Sequence, residues 1–392
     1  MPTPPPPEPV ASPPVPLATI ARQWLRLGCI GFGGPPTHIA LLRKLCVVER
    51  QWLTPEAFED GVAATNLLPG PASTQLAILC AWRLRRVPGA LIGGLCFIVP
   101  GLAMILVLAA VFLDASAPAW VLGAAAGAGA AVPAVAVNAA WSLVPASRAR
   151  IGSARSQQGR WVAYAAASAL AAATVGPFLV LVLAACGLLE VAVERPRRPG
   201  GVPALFPAVA GHAAAVGGAG ALVWVALKVG ALSYGGGFVI VPLMQHDVVH
   251  VYHWMSGAQF LNAVALGQIT PGPVVQTVAV VGYAAGGLAG GLLAAAVAFG
   301  PSFLFVIVGA PHFDRLRSSP GAQAFLTGAG ASVIGAIAGS AVPLGLSLQQ
   351  YWQLPVLAGA AVWLLVARRG VVAALLASGA VGVVLALAGV RA

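Results

Sequence analysis

Read for apolar and polar positions, the chain alternates long apolar stretches with short polar connections, and several stretches are broken by glycine or proline. In the N-terminal half the apolar elements fall at about 27–42, 60–82, 87–112, 119–144, 161–175 and 178–193. In the C-terminal half they fall at about 229–243, 258–283, 287–310, 323–346, 354–367 and 371–390, and a further stretch, 204–227, lies between the halves. A helix needs roughly 20 apolar residues to cross the hydrocarbon core of a bilayer. The longer stretches therefore predict spanning helices, while the last two of each half are short for that task. The first sixteen residues include nine prolines and no apolar run, which predicts a disordered tail over 1–16.

Composition moves the solvent from water to lipid. Of 392 residues, 59% are hydrophobic and only 8% charged, with a mean hydropathy of +0.91, whereas about a quarter of the residues of a soluble protein are charged. The net charge of +11 comes in short basic runs between apolar stretches, such as Arg83, Arg85 and Arg86. That placement fits cytoplasmic loops, and no nucleic-acid partner is expected. The five cysteines (Cys29, Cys46, Cys80, Cys96, Cys186) form no CxxC pair and imply neither a disulfide framework nor a zinc site. No phosphate-binding loop, HExxH or GxSxG motif occurs, so neither an enzyme nor a cofactor is expected.

The chain also repeats itself. At an offset of 202 positions, Gly33-Gly34 falls on Gly235-Gly236, Trp52 on Trp254, Phe58 on Phe260, and Pro69-Gly70-Pro71 on Pro271-Gly272-Pro273. At an offset of 201, Pro100 meets Pro301 and Gly127-Ala128-Gly129 meets Gly328-Ala329-Gly330. The reading divides the chain into a first repeat over 17–198, a linker with an extra membrane helix over 199–227, and a second repeat over 228–392.

Loop charge then assigns orientation. Arg83, Arg85 and Arg86 face an uncharged 283–291, Asp114 faces Arg315 and Arg317, Arg148 to Arg160 face a bare 347–355, and Gly176-Pro177 faces Arg368-Arg369. Four successive connections of opposite bias predict repeats inserted upside down relative to each other. The expected fold is an all-α polytopic membrane protein of two inverted-topology repeats, with broken or re-entrant helices at the Gly-rich and PGP motifs.

Those motifs are where backbone chemistry becomes available. In Asn66-Leu-Leu-Pro69-Gly70-Pro71-Ala-Ser73-Thr74-Gln75, the prolines remove donors and stop the helix, and glycine permits the reversal. A helix restarting after Pro71 presents free N–H groups and its positive dipole end beside Ser73, Thr74 and Gln75, which suits an anion. Gln268, Thr270, Pro271, Gly272, Pro273, Gln276 and Thr277 repeat the arrangement. The glycine runs at Gly33-Gly34 and Gly235-Gly236-Gly237 offer either unwound backbone to a ligand or close helix packing. Arg26 and Lys228 precede these runs at equivalent positions as candidate charge partners, against the alternative of basic residues snorkelling from helix ends. His246, His250 and His253 would share one helix face, which reads as a polar interfacial face before a metal site. Proton coupling, if present, would fall to Glu49, Glu56, Glu59, Asp60, Asp247 or a histidine such as His38 or His246.

Gly31-Phe32-Gly33-Gly34-Pro35, Glu49-Arg50-Gln51-Trp52-Leu53 and Leu68-Pro69-Gly70-Pro71 with Gln75, together with Tyr234-Gly235-Gly236-Gly237, Trp254-Met255 and Thr270-Pro271-Gly272-Pro273, resemble the chromate ion transporter (CHR) family in its long two-domain form. The resemblance covers nearly all of the chain beyond the tail. It implies a carrier in a bacterial inner membrane that exports chromate, with sulfate as a related dianion and the proton-motive force or antiport as driver. The lipid bilayer is the other partner, and a homodimer is compatible with the sequence. The family often carries acidic and basic residues after the second glycine run, where this chain has Gln245, His246, Asp247, His250 and His253.

Overall fold

The computed structural model describes residues 14–66, 68–114, 116–152, 154–174, 179–194, 218–233, 239–313 and 318–390. Most of the proline-rich start, most of the 204–227 stretch and the run Tyr234-Gly235-Gly236-Gly237-Phe238 lie outside the described residues. Those described form helices and turns, with no strand among them. Ala72–Phe112, Ala119–Arg148, Val274–His312 and Pro320–Leu346 are long and apolar enough to cross a membrane.

The same order of elements occurs twice. The first half runs α1 (Leu17–Ile30), α2 (Pro35–Arg43), α3 (Pro55–Thr65), α4 (Ala72–Phe112), α5 (Ala119–Arg148), α6 (Arg155–Thr174) and α7 (Leu179–Glu194). The second runs α8 (Ala219–Leu232), α9 (Ile240–His246), α10 (Gly257–Ile269), α11 (Thr277–Gly309), α12 (Pro320–Leu346), α13 (Gln353–Ala361) and α14 (Val371–Leu387). Helices α2, α9 and α13 each continue into a π-turn, over Lys44–Glu49, Asp247–Val251 and Val362–Val366.

Helix α4 is bent double. Arg85 (φ −144°, ψ 30°) and Arg86 (φ 48°, ψ −137°) leave the helical region, and the arm after them folds back so tightly that a Cβ on Gly89 would stand 2.2 Å from the Ala81 carbonyl oxygen. Helix α11 makes the same turn at Gly286 and Gly287 (φ 61°, ψ −155°), where Gly282 abuts Gly290. Helix α1 seats on α4 through Trp24, whose indole donates to the Ala77 carbonyl at 2.9 Å. It also closes on α4 at Gly28, against the Phe97 carbonyl, as Gly230 of α8 does against that of Ala298. The second arms of α4 and α11 run antiparallel to each other, with Gly94 against Phe303 and Gly291 against Leu106.

The later helices are exchanged between halves. Helices α6 and α7 pack on α12, while α13 and α14 pack on α5. Small residues set how close they come: Gly335 and Gly339 of α12 meet the Ala165 and Ala169 carbonyls, and Gly123 and Gly127 of α5 meet Gly382 and Ser378 of α14. Lipid tails are as apolar as leucine, so such backbone-to-backbone contact supplies attraction that hydrophobic burial cannot. Glu190 of α7, almost wholly buried, accepts from Arg160 at 2.9 and 2.7 Å and from Tyr164 at 2.9 Å. That network ties α7 to α6.

Candidate functional site

Each PGP motif forms the tip of a helical hairpin. In the first half, Gly61 of α3 faces Leu76 and Leu79 of α4, and the Arg83 guanidinium donates to the Ala57 carbonyl at the open end. In the second, Gly267 of α10 abuts Thr277 at the start of α11. The reversals rest on Gly70 (φ 116°) and Gly272 (φ 97°), a backbone region that costs L-residues with a Cβ about 1 kcal/mol or more. Asn66 closes α3, its N–H donating to the Val62 carbonyl at 3.1 Å.

The two ends of each hairpin are finished differently. At the open ends, Thr54 caps α3 through the Ala57 N–H, and Ser256 and Gln259 form a reciprocal capping box on α10. At the tips, the restarts after Pro71 and Pro273 have no side-chain cap. Their first N–H groups lie beyond the reach of any intrahelical carbonyl. A glutamine straps each tip instead: Gln75 Nε2 donates to the Pro69 carbonyl at 2.6 Å, and Gln276 Nε2 to those of Pro271 at 2.8 Å and to Thr270 Oγ1 at 2.9 Å. An ungapped repeat register sets Gln75 opposite Thr277. The structure pairs it with Gln276, because a 3-10 turn over Val274–Gln276 shortens the second restart by one residue, and this is where the offset changes from 202 to 201.

The tips dock across the halves. The Gly272 N–H donates to the Gly31 carbonyl at 2.9 Å, and a Cβ on Gly70 would lie 3.3 Å from the Gly230 carbonyl oxygen of α8. The second tip is also seated on α4, where a Cβ on Gly101 would stand 2.0 Å from the Pro271 carbonyl oxygen and 2.6 Å from Gln276 Oε1. Gly33 (φ 100°) and Gly34 (φ 76°) turn the chain from α1 into α2. They bring His38 back onto Gly31, Nε2 donating to its carbonyl at 2.8 Å. With Nε2 carrying the proton, His38 Nδ1 accepts from the Ser73 hydroxyl at 3.2 Å. Fully buried, His38 thus joins the first glycine turn, the first restart and, through Gly31, the second tip. Gly235, Gly236 and Gly237 lie outside the described residues.

Polar groups here are buried and short of partners. Among the described residues, the buried side-chain atoms that make no hydrogen bond are Thr74 Oγ1, Gln75 Oε1, Ser233 Oγ, His246 Nδ1, Gln268 Nε2, Gln276 Oε1 and Ser302 Oγ. Four of these belong to the PGP segments, Ser233 ends α8, and Ser302 holds in α11 the position Gly101 holds in α4. Such groups cost about 1–3 kcal/mol each when left unsatisfied. The hydroxyls and the Gln268 amide can donate to an anion, whereas the two glutamine oxygens suit its protonated or hydrated edge. Two cavities lie away from the tips: one of about 180 Å³ is walled by α5, α10 and α14 and is almost wholly apolar, and one of about 120 Å³ is lined by Asn262, Gln349, Gln350 and Gln353 among apolar neighbours.

The two candidate charges part company. Arg26 is exposed on α1. Lys228 is buried in α8 and forms an ion pair with Asp247, which is buried as well. His246 Nδ1 lies 3.8 Å from the Asp247 carboxylate, and the His246 and His250 rings are 5.7 Å apart. The π-turn over Asp247–Val251 interrupts the helical spacing on which one histidine face depends, and His253 has φ 52°. Among the described residues no group of three or more His, Cys, Asp and Glu could hold a metal ion.

The sequence profile described as "Chromate transporter" matches residues 18–191 and again residues 220–383. The chain belongs to the chromate transporter family. It is 34% identical over 338 residues to the chromate transport protein of Cupriavidus metallidurans, covering 84% of this chain and 82% of that one. It is 30% identical over 341 residues to a probable chromate transport protein of Synechococcus elongatus, 84% of each chain, and 28% identical over 351 residues to the chromate transport protein of Pseudomonas aeruginosa, 85% of this chain and 82% of that one. No solved structure matches. With its apolar helices, this member of the chromate transporter family is a multi-pass membrane transport protein.

Sequence reasoning did not single out Gly101 or Ser302, whereas Ser233 opens the second glycine run. The paired Pro100 and Pro301 next to Gly101 and Ser302 was the available signal.

Proposed function

We propose that the protein is a secondary transporter that exports chromate across a bacterial inner membrane by alternating access and so confers chromate resistance. In this reading the 17–198 and 228–392 repeats are inverted relative to each other, the two PGP hairpins are re-entrant, and their tips form the substrate cradle near the midplane. One observation carries it: two uncapped helix starts, one from each half, lie buried beside hydroxyl and amide groups without partners. An oxyanion would satisfy both the N–H groups and the hydroxyls. Thr74, Gln268 and the first N–H groups after Pro71 and Pro273 would donate to it, and the Gln75 and Gln276 straps would hold the tips in shape. The antiparallel second arms of α4 and α11 and the opposed loop charges support the inversion. The names of the relatives support chromate as cargo.

The test is uptake of labelled chromate into everted membrane vesicles, with sulfate as competitor. Saturable accumulation above vesicles lacking the protein is expected. No flux above that background overturns the reading, and flux of sulfate alone moves the substrate to another oxyanion.

A further inference from the structure

Buried charge in a membrane protein marks function when the alternative is a large desolvation cost. Lys228 and Asp247 are both about 8% exposed, and their pair has no counterpart in the first half, where the matching residues are Arg26, exposed, and Leu45, apolar. Helix α8 is also seated on α11 through Gly230, against the Ala298 carbonyl. The pair stands close to the candidate site: Lys228 lies two residues before Gly230, whose carbonyl lies against the first tip, and five before Ser233, whose hydroxyl is unpaired.

We propose that Lys228 is the charged anchor of the transported dianion and that Asp247 is its internal competitor, released by taking up one proton. The inference rests on the anion-carrier reading above. With the site free of anion, the Asp247 carboxylate neutralises Lys228. A dianion approaching the first tip competes for the ammonium, and an ionised Asp247 beside it is a like charge. One proton from the medium binds the carboxylate oxygen, Asp–COO⁻ becoming Asp–COOH, and Lys228 turns to the anion. Each cycle then moves a dianion with one proton, a net single negative charge, which an inside-negative membrane potential drives outward.

The charged and titratable surroundings of Asp247 are few. Lys228 comes from α8, His246 and His250 from its own segment, and Tyr252 from the loop that follows. Helices α10 and α12, which also pack on α9, carry no titratable residue, and α7 brings Cys186, Glu194 and Glu190, the last committed to Arg160. Asp247 is the acid among them that touches Lys228.

The experiment uses the full chain in proteoliposomes and measures chromate affinity and uptake at several pH values, for the wild type, Asp247→Asn and Asp247→Glu side by side, so that protonation of chromate itself cancels. One linked proton makes apparent affinity rise about tenfold per unit fall in pH. The wild type and Asp247→Glu are expected to exceed Asp247→Asn by that slope. Equal slopes in the wild type and Asp247→Asn overturn the switch while leaving the carrier. An absence of chromate flux in the wild type overturns the carrier reading and the switch with it. Should Asp247→Asn fail to insert, the double variant Lys228→Gln/Asp247→Asn, which leaves no unpaired charge, decides: a loss of chromate affinity of tenfold or more supports the anchor, and wild-type affinity overturns it.

Discussion

Gly101 shows how much a single hydrogen atom in place of a side chain can matter. It lies in the apolar second arm of α4, marked in the sequence only by the neighbouring Pro100, yet the Pro271 carbonyl and the Gln276 strap occupy the space a Cβ would need. Gly101→Ala must push back a backbone carbonyl, which cannot rotate away as a side chain can. We expect it, like Gly272→Leu at the tip itself, to abolish chromate flux with the protein still inserted. Gly300→Ala, on the partner helix at a glycine with open space around it, should retain wild-type flux. The vesicle assay compares them directly. The PGP residues, Gln75 and Gln276 were legible in the sequence because proline and glycine dictate backbone behaviour wherever they fall. Gly101 was not, since the carbonyl and the glutamine that crowd it come from the other half of the chain.

Among the elements, hairpins were legible and their boundaries less so. The sequence reading runs one element through 27–42 and another through 60–82. It expects a break inside each, and the structure ends helices at the Gly31–Gly34 turn and at the PGP tip. The reading starts both too late, since α1 begins at Leu17 and α3 at Pro55, where exposed Arg22, Arg26, Glu56, Glu59 and Asp60 interrupt the apolar runs. The turn at Arg85-Arg86 falls in the connection that the sequence reading leaves between 60–82 and 87–112, and its second-half twin is Gly286-Gly287. Stacking of the Arg86 guanidinium on Trp82 at 4.5 Å offsets part of the cost of its left-handed φ. The caps at the open ends make a clean test of the hairpins as independent parts. Ser256→Ala removes half of a capping box and should cost about 1 kcal/mol of stability, read as a lower melting temperature in detergent. Because the cap is at the open end rather than the tip, chromate affinity should hold.

For the whole molecule, the duplication and the opposed loop charges were plain in the sequence, whereas the exchange of helices between halves was not. Periodicity reports which face of a helix is apolar and says nothing about which partner covers it; the small-residue contacts of α5 with α14 and of α12 with α6 are visible only once the chain is folded. The proposed inversion predicts opposite exposure of two equivalent turns. In a background without the native cysteines, Arg85→Cys and Gly286→Cys should react with a membrane-impermeant maleimide from opposite sides, one in intact cells and the other in everted vesicles. Labelling of both from one side would put the repeats in the same orientation. The crossed docking of the tips, Gly272 on Gly31 and Gly70 beside Gly230, bears on how such a chain can evolve. Each PGP tip rests on a residue of the other copy, so neither copy can drift alone: a change at Gly31 is felt at Gly272 and a change at Gly230 at Gly70, and compensating changes should be sought across the halves as well as within them.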